Sequence, residues 1–362
     1  MNNPNPAAPA TLPVRHARSN PVIASYAGLV KTVRSAGLMR RRRTFYLGLF
    51  ATLVLLLAAA STGFLLLGRT WFQLLIAAVL GVLCTQFAFL AHESAHHQVF
   101  ASGRVNDWSA RILGPLMVGM SYAMWVKKHT AHHQDPNVKG KDPDIHTGVM
   151  AFHPEAAAAK RGLPAVITRR QGTLFFPLIL FLGFSLVLDS AKTLFGRSGV
   201  RFRYLEIALL VVRFGVYLTL LFLMLPPGMA LAFIGVQMGV FGFYMGASFA
   251  PNHKGMVVLE TGSRVDFLTR QVITSRNIRG GFFMDTLMGG LNHQVEHHLF
   301  PDMARPELRR ANAMVREACA ANNIPFTETG LLQSYGIVVA YLNKVGLSAA
   351  DPFECPLVGR YR

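Results

Sequence analysis

Apolar positions along the chain fall in long uninterrupted runs, without the helical or alternating spacing of half-buried soluble elements. Residues 44–67 form the first run and residues 71–91 the second, and each reaches the roughly 20 residues that cross a bilayer. Only Gly68, Arg69 and Thr70 separate them, so the pair predicts a helical hairpin with a tight turn. Residues 205–225 and 229–250 repeat the arrangement around Pro226, Pro227 and Gly228. Between the hairpins, residues 174–188 are apolar for only 15 positions, too few to cross, and predict a re-entrant or interfacial helix. Beyond Pro251 nothing is long enough to span; residues 303–322 and 331–345 have amphipathic spacing and predict two helices of a cap.

Composition agrees with a membrane protein: 52% of the 362 residues are hydrophobic and 15% charged. The net charge of +18 lies between the apolar runs, and Arg40 to Arg43 directly precede the first. By the positive-inside bias these place the long flanks of both hairpins, both termini and the cap on the cytoplasmic side of the cell membrane. The first run is too long for a signal peptide and is read as a retained span. The expected architecture is an all-α, multi-pass integral membrane protein of four spans. A basic, partly disordered N-terminal segment (1–43) precedes a membrane domain (44–345) and a C-terminal tail (346–362). No basic folded module points to nucleic acid; the charge fits phosphate-bearing headgroups, acyl-CoA or an acidic electron donor. Arg213, inside the third span, either snorkels or faces the bundle interior. Cys84, Cys319 and Cys355 are too scattered for a disulfide framework or a cysteine metal site.

Ten of the 13 histidines gather in four groups near the cytoplasmic ends of apolar runs: His92, His96 and His97; His129, His132 and His133; His253; and His293, His297 and His298. His16, His146 and His153 stand alone. At about 100° per residue, His129, His132 and His133 share one helix face, as do Gln294, His297 and His298. His92 and His96 share a face too, while His97 and His293 lie off the faces of their groups. Imidazole suits zinc, copper, iron and nickel, and no cysteine is near for a closed zinc site. Eight well-placed histidines exceed the needs of one ion. Two ions sharing them is the economical reading, and neutral ligands at a membrane surface point to iron and oxygen chemistry. The competing readings are a histidine-lined metal path or histidines that bind headgroups, but a path would place ligands in mid-span. Glu93, Asn252, Glu296, Asp135, Asp142 and Asp144 are candidates for orienting the ligands from behind. Met117, Met120 and Met124 are candidates for lining a tunnel. Lys127, Lys128, Arg305, Arg309 and Arg310 are candidates for receiving an electron donor or the phosphates of CoA.

The segments His92-Glu-Ser-Ala-His96-His97, His129-Thr-Ala-His132-His133 and Gln294-Val-Glu-His297-His298 resemble the three histidine boxes of the membrane fatty acid desaturase superfamily, over about residues 44–345. The stretches around Asn252-His253, Thr274 to Gly281 and Gln294 to Pro301 look more narrowly like actinobacterial acyl-CoA (linoleoyl-CoA-type) desaturases. The resemblance implies a non-haem di-iron centre, O2 as co-substrate, and an acyl chain of acyl-CoA or membrane lipid receiving a cis double bond. It implies ligands at His92, His96, His129, His132, His133, His253, His297 and His298, with Gln294 or His293 completing the shell and His97 outside the minimal first box. No haem-binding His-Pro-Gly-Gly segment appears, so electrons are expected from a separate ferredoxin or flavoprotein reductase. A related di-iron hydroxylase or ketolase and a non-catalytic metal-handling membrane protein are the alternatives.

Overall fold

The computed structural model describes residues 21–348 apart from Thr147 and Ser198, and of Pro21 the backbone alone. His16, Cys355 and the tail beyond Ser348 lie outside the described residues. The helices are α1 Pro21–Ser35, α2 Arg43–Leu67, α3 Gln73–Ala95, α4 Gly103–Leu113, α5 Tyr122–Gln134, α6 Pro154–Ala158, α7 Gly162–Arg169, α8 Phe175–Ile179, α9 Leu182–Phe195, α10 Arg203–Met224, α11 Pro227–His253, α12 Phe267–Ile273, α13 Phe282–Leu287, α14 Gln294–Leu299, α15 Arg305–Ala321 and α16 Leu331–Ser348.

Four of them, α2, α3, α10 and α11, are long and apolar enough to cross a membrane. The turn from α2 to α3 is closed by Gly68, at φ 57°, and by the Gln73 amide, which donates to the carbonyls of Phe64 (2.7 Å) and Gly68 (2.9 Å). Carbonyls freed at the end of a helix in lipid need such partners. Proline at the start of α11 turns the second hairpin, since a missing N–H costs nothing there.

The bundle is built around α3 and α11. Half of the most apolar stretch of α3 is buried, against 6% of that of α10, so α10 faces lipid while α3 sits inside. Gly81 lets the inner pair approach closely, because a Cβ there would lie 2.7 Å from the Gln237 carbonyl. Arg213 turns toward the bundle interior, its guanidinium over the Tyr217 ring at 5.1 Å.

Two expectations are corrected. The single re-entrant or interfacial helix over 174–188 is two helices, α8 and α9, broken at Leu180 and Phe181. They pack on α11 through Gly183 and Gly242, where added Cβ atoms would meet backbone at 2.8 and 2.7 Å. Within the basic segment ahead of α2, residues 21–35 form the helix α1. Its Leu29 and Val33 are buried with Val295, Leu299, Leu308 and Val315 in the core of the cap. The chain is also not purely helical: Asn277–Ile278 (β1) and Glu328–Thr329 (β2) pair in parallel.

Candidate metal centre

Both inner spans continue beyond their apolar runs and carry histidine on their last turns, His92 on α3 and His253 on α11. Both ends lie opposite the hairpin turns. The second box is delivered by α5, which starts cleanly because the Ser121 hydroxyl accepts the Met124 N–H at 3.1 Å. The third is carried on α14.

The imidazoles meet in two groups. Ring nitrogens of His92, His96, His129, His133 and His297 lie within 4.8 Å of one another, and so do those of His132, His253 and His298. The groups adjoin, since the His133 and His298 rings stack with centroids 4.2 Å apart. Trp125 stacks on His129 at 4.3 Å and closes one side.

Hydrogen bonds select which nitrogen faces inward. His132 Nδ1 donates to the Asp142 carboxylate at 3.0 Å, His253 Nδ1 to the Thr274 carbonyl at 3.0 Å, and His298 Nδ1 to the Gln271 side-chain oxygen at 2.8 Å. A neutral imidazole carries one N–H, so with Nδ1 committed the three Nε2 lone pairs face one another. His298 Nε2 is buried without a partner. In the larger group, His129 Nε2 lies 3.1 Å from His92 Nε2 and 2.8 Å from His96 Nε2. Three Nε2 lone pairs converging in the smaller group, and five imidazoles converging in the larger, fit a cation at each.

Charge follows the same logic. Burial holds His129, His133, His297 and His298 well below the ordinary imidazole value, and repulsion from neighbouring imidazoles adds to it. They are therefore neutral, as ligands must be. His132 is the exception: burial lowers it, but the bond to Asp142 and its charge outweigh burial and raise it. Asp142 is fully buried and also accepts the N–H groups of Asn137 (2.7 Å) and Asp144 (2.9 Å).

The remaining candidates separate. His97 takes the left-handed conformation at φ 57°, turns outward and pairs with Asp107 at 2.9 Å, outside both groups. His293 pairs with Asp285 at 3.2 Å, also outside them. Gln294 reaches the smaller group, its Nε2 lying 2.8 Å from His253 Nε2, and Asn252 holds it at 3.1 Å.

Glu93 does not orient an imidazole. It is buried against Arg305, with Nη2 to Oε2 at 2.8 Å. Glu296 accepts from Asn277 at 2.6 Å and Asn312 at 2.9 Å, tying α14 to β1 and α15. Asp135 pairs with Arg270 and Lys141. Of the basic candidates, Lys128, Arg305, Arg309 and Arg310 are all in ion pairs, and Arg305, at 5% exposure, is too buried to meet a soluble partner. Lys127 is exposed. The roles of Gln271, Thr274, Asn277 and Trp125 emerge only from the fold, although Thr274 and Asn277 lie in the family-like stretch Thr274 to Gly281 and Trp125 stands one turn ahead of His129.

A narrow pocket with a cavity volume of about 30 Å³ lies beside His92, walled by Ala88, Phe89, Val118, Met120, Tyr122 and Met245 among others. Its lining is apolar, as the wall of a site for an apolar ligand must be. Met120 lines it as expected, while Met117 and Met124 do not.

Asp142→Asn tests the orientation of the ligands. An amide cannot hold the imidazole N–H as a carboxylate does, so metal affinity falls about 10- to 100-fold. Titration of metal-stripped protein reads the change.

Residues 69–330 match the sequence profile of the fatty acid desaturase family. The chain is 27% identical to the Delta(5) fatty acid desaturase fat-4 of Caenorhabditis elegans, covering 94% of this chain and 78% of that protein. It is 28% identical to the Delta(6)-fatty-acid desaturase fat-3 of the same organism, covering 91% and 76%. It is 27% identical to the Acyl-lipid (9-3)-desaturase of Physcomitrium patens, covering 81% and 57%. With a family match over most of its length, and with the family's three histidine boxes drawn into two adjoining nests of imidazole, this chain belongs to the fatty acid desaturase family.

Proposed function

We propose that the protein introduces a cis double bond into an acyl chain, using O2 and two electrons from a separate donor, and that each histidine group holds one iron ion. The observation that carries this reading is the convergence of eight imidazoles in two adjoining groups, with His298 Nε2 buried without a partner. His92, His96, His129, His133 and His297 would hold one ion. His132, His253 and His298 would hold the other, with Gln294 beside them. Iron supplies the oxidising power that removing two hydrogens from an unactivated methylene pair needs and that no side chain provides.

The chain's own residues do the rest. Asp142, the Thr274 carbonyl and Gln271 fix the ligand tautomers. The wall from Ala88 to Tyr122 holds apolar substrate beside His92 and excludes water. Two electrons and two protons enter with each O2, and both oxygen atoms leave as water together with the two hydrogens removed from the chain.

Substrate is the acyl chain of membrane lipid or acyl-CoA. The donor is a ferredoxin or flavoprotein reductase approaching the histidine face, near the exposed Lys127. We place the protein in the cell membrane with both termini and the histidines in the cytoplasm, following the arginines ahead of α2.

The test is expression in a host lacking such lipids, with a competent donor, followed by analysis of fatty-acid methyl esters. A new double bond is expected. New oxygen in the chain would identify a hydroxylase or ketolase, and an unchanged profile in protein that binds metal would identify a metal-handling role.

A further inference from the structure

The one guanidinium in the middle of a span has no role in the site described above. Arg213 lies midway along α10, and Glu206, the single acidic residue of that helix, is engaged by Arg111. Arg213 instead reaches Cys84 of α3, with Nη2 4.0 Å from Sγ, and stacks over Tyr217. Its Nε is buried without a hydrogen-bond partner. Gln237 of α11 donates to the same Cys84 sulfur at 3.7 Å, and the Tyr217 hydroxyl donates to the Gln237 oxygen at 2.6 Å. Four polar side chains from three spans thus meet inside the bundle, where an ionisable group is costly and its retention points to a function.

Their position gives them one. Ala88, Val118 and Met245 line the lower part of the apolar pocket. Cys84 is the next turn of α3 below Ala88, about 6 Å further from the histidines, and its thiol donates to the Met117 carbonyl at 3.8 Å. Gln237 lies two turns of α11 below Met245, about 12 Å. An acyl chain descending from His92 along α3 would meet Cys84 after about 12 Å, one turn past the pocket lining, with the guanidinium and amide on its sulfur. A methyl terminus pushed further would desolvate those groups without replacing their hydrogen bonds, a loss that grows with each added carbon.

We propose that Arg213, with Cys84, Gln237 and Tyr217, forms a polar floor that stops the methyl end of the acyl chain and so sets the chain length the protein accepts. This inference rests on the desaturase reading and adds a specificity determinant to it.

Two substitutions of opposite expected sign test it. Arg213→Ala removes the guanidinium and opens the floor, and Cys84→Leu raises the floor with an apolar branch. Each is supplied with a series of saturated acyl chains of graded length, and product is measured per chain. Binding of the same series to metal-free protein is measured in parallel by displacement of a fluorescent fatty acid. Relative to wild type, Arg213→Ala is expected to shift the preference about tenfold toward the next longer chain, and Cys84→Leu about tenfold toward the next shorter, the effect of a methylene in a fitted apolar pocket. Misfolding cannot produce shifts of opposite sign. Unchanged length ratios in both variants, or a fall in parallel at every length, would overturn the floor. If wild type forms no product at any length, the desaturase reading falls and the binding series alone decides the floor.

Discussion

His132→Ala is expected to abolish detectable double-bond formation and, on the di-iron reading proposed above, to lower the bound iron from two ions to one. His132 is the residue through which Asp142 reaches the smaller group, and its Nε2 lies 3.3 Å from His253 Nε2. Removing it leaves His253 and His298 as the only imidazoles of that group, too few to hold an ion against solvent. The larger group keeps all five of its imidazoles, so one iron is retained. His97→Asn is the matched control. Asparagine tolerates the left-handed backbone at that position, and the His97 ring belongs to neither group, so activity stays within about twofold, as expected of a substitution outside the chemistry. Iron per chain and methyl-ester product, measured on the same preparations, check both. Two irons or wild-type product in His132→Ala would remove it from the ligand set.

The second large effect falls on stability. Arg305 is 5% exposed and Glu93 2%, and they are bound to each other beside the Tyr46 hydroxyl, which accepts the Arg305 backbone N–H at 3.0 Å. The pair joins α3 to α15, locking the last turn of the inner span to the cap. Arg305→Met strands a buried carboxylate and is expected to cost about 3–5 kcal/mol, because breaking a buried pair from one side leaves a charge without compensation. Adding Glu93→Gln removes that charge and recovers most of the loss. Unfolding midpoints in detergent of the two single variants and the double variant read this directly. A double variant no more stable than Arg305→Met would show that the pair is not the source of the effect.

What could be read from the sequence depended on the range of the interaction. Spans are recognised by the length of an apolar run, so α2, α3, α10 and α11 were visible within a few residues. Box spacing reports helix faces, so the grouping of His129 with His132 and His133 was visible too. Helix ends were less so: α3 and α11 run on past their apolar stretches to carry His92 and His253, because buried hydrogen bonds continue them where hydropathy stops. Spacing set His97 off the face of its group, but not the left-handed turn at φ 57° that sends it outward.

Pairings across long separations were invisible. Glu93 meets Arg305 across 212 positions, and local pattern placed each elsewhere, Glu93 behind an imidazole and Arg305 on a docking face. Gln271 sits on α12, a seven-residue helix with no box of its own, yet it orients His298 and donates to the His133 carbonyl at 2.9 Å. The same applies to α1, whose basic sequence hides a buried stripe of Leu29 and Val33 against the cap. In each case the partner, supplied by tertiary structure, decides the role.

The most direct test is elemental analysis of full-length protein purified in an active state, with iron counted per chain and double-bond formation measured on the same sample. Two irons per chain, with activity lost and restored as iron is removed and returned, is the predicted result. Full activity in material without iron would contradict it.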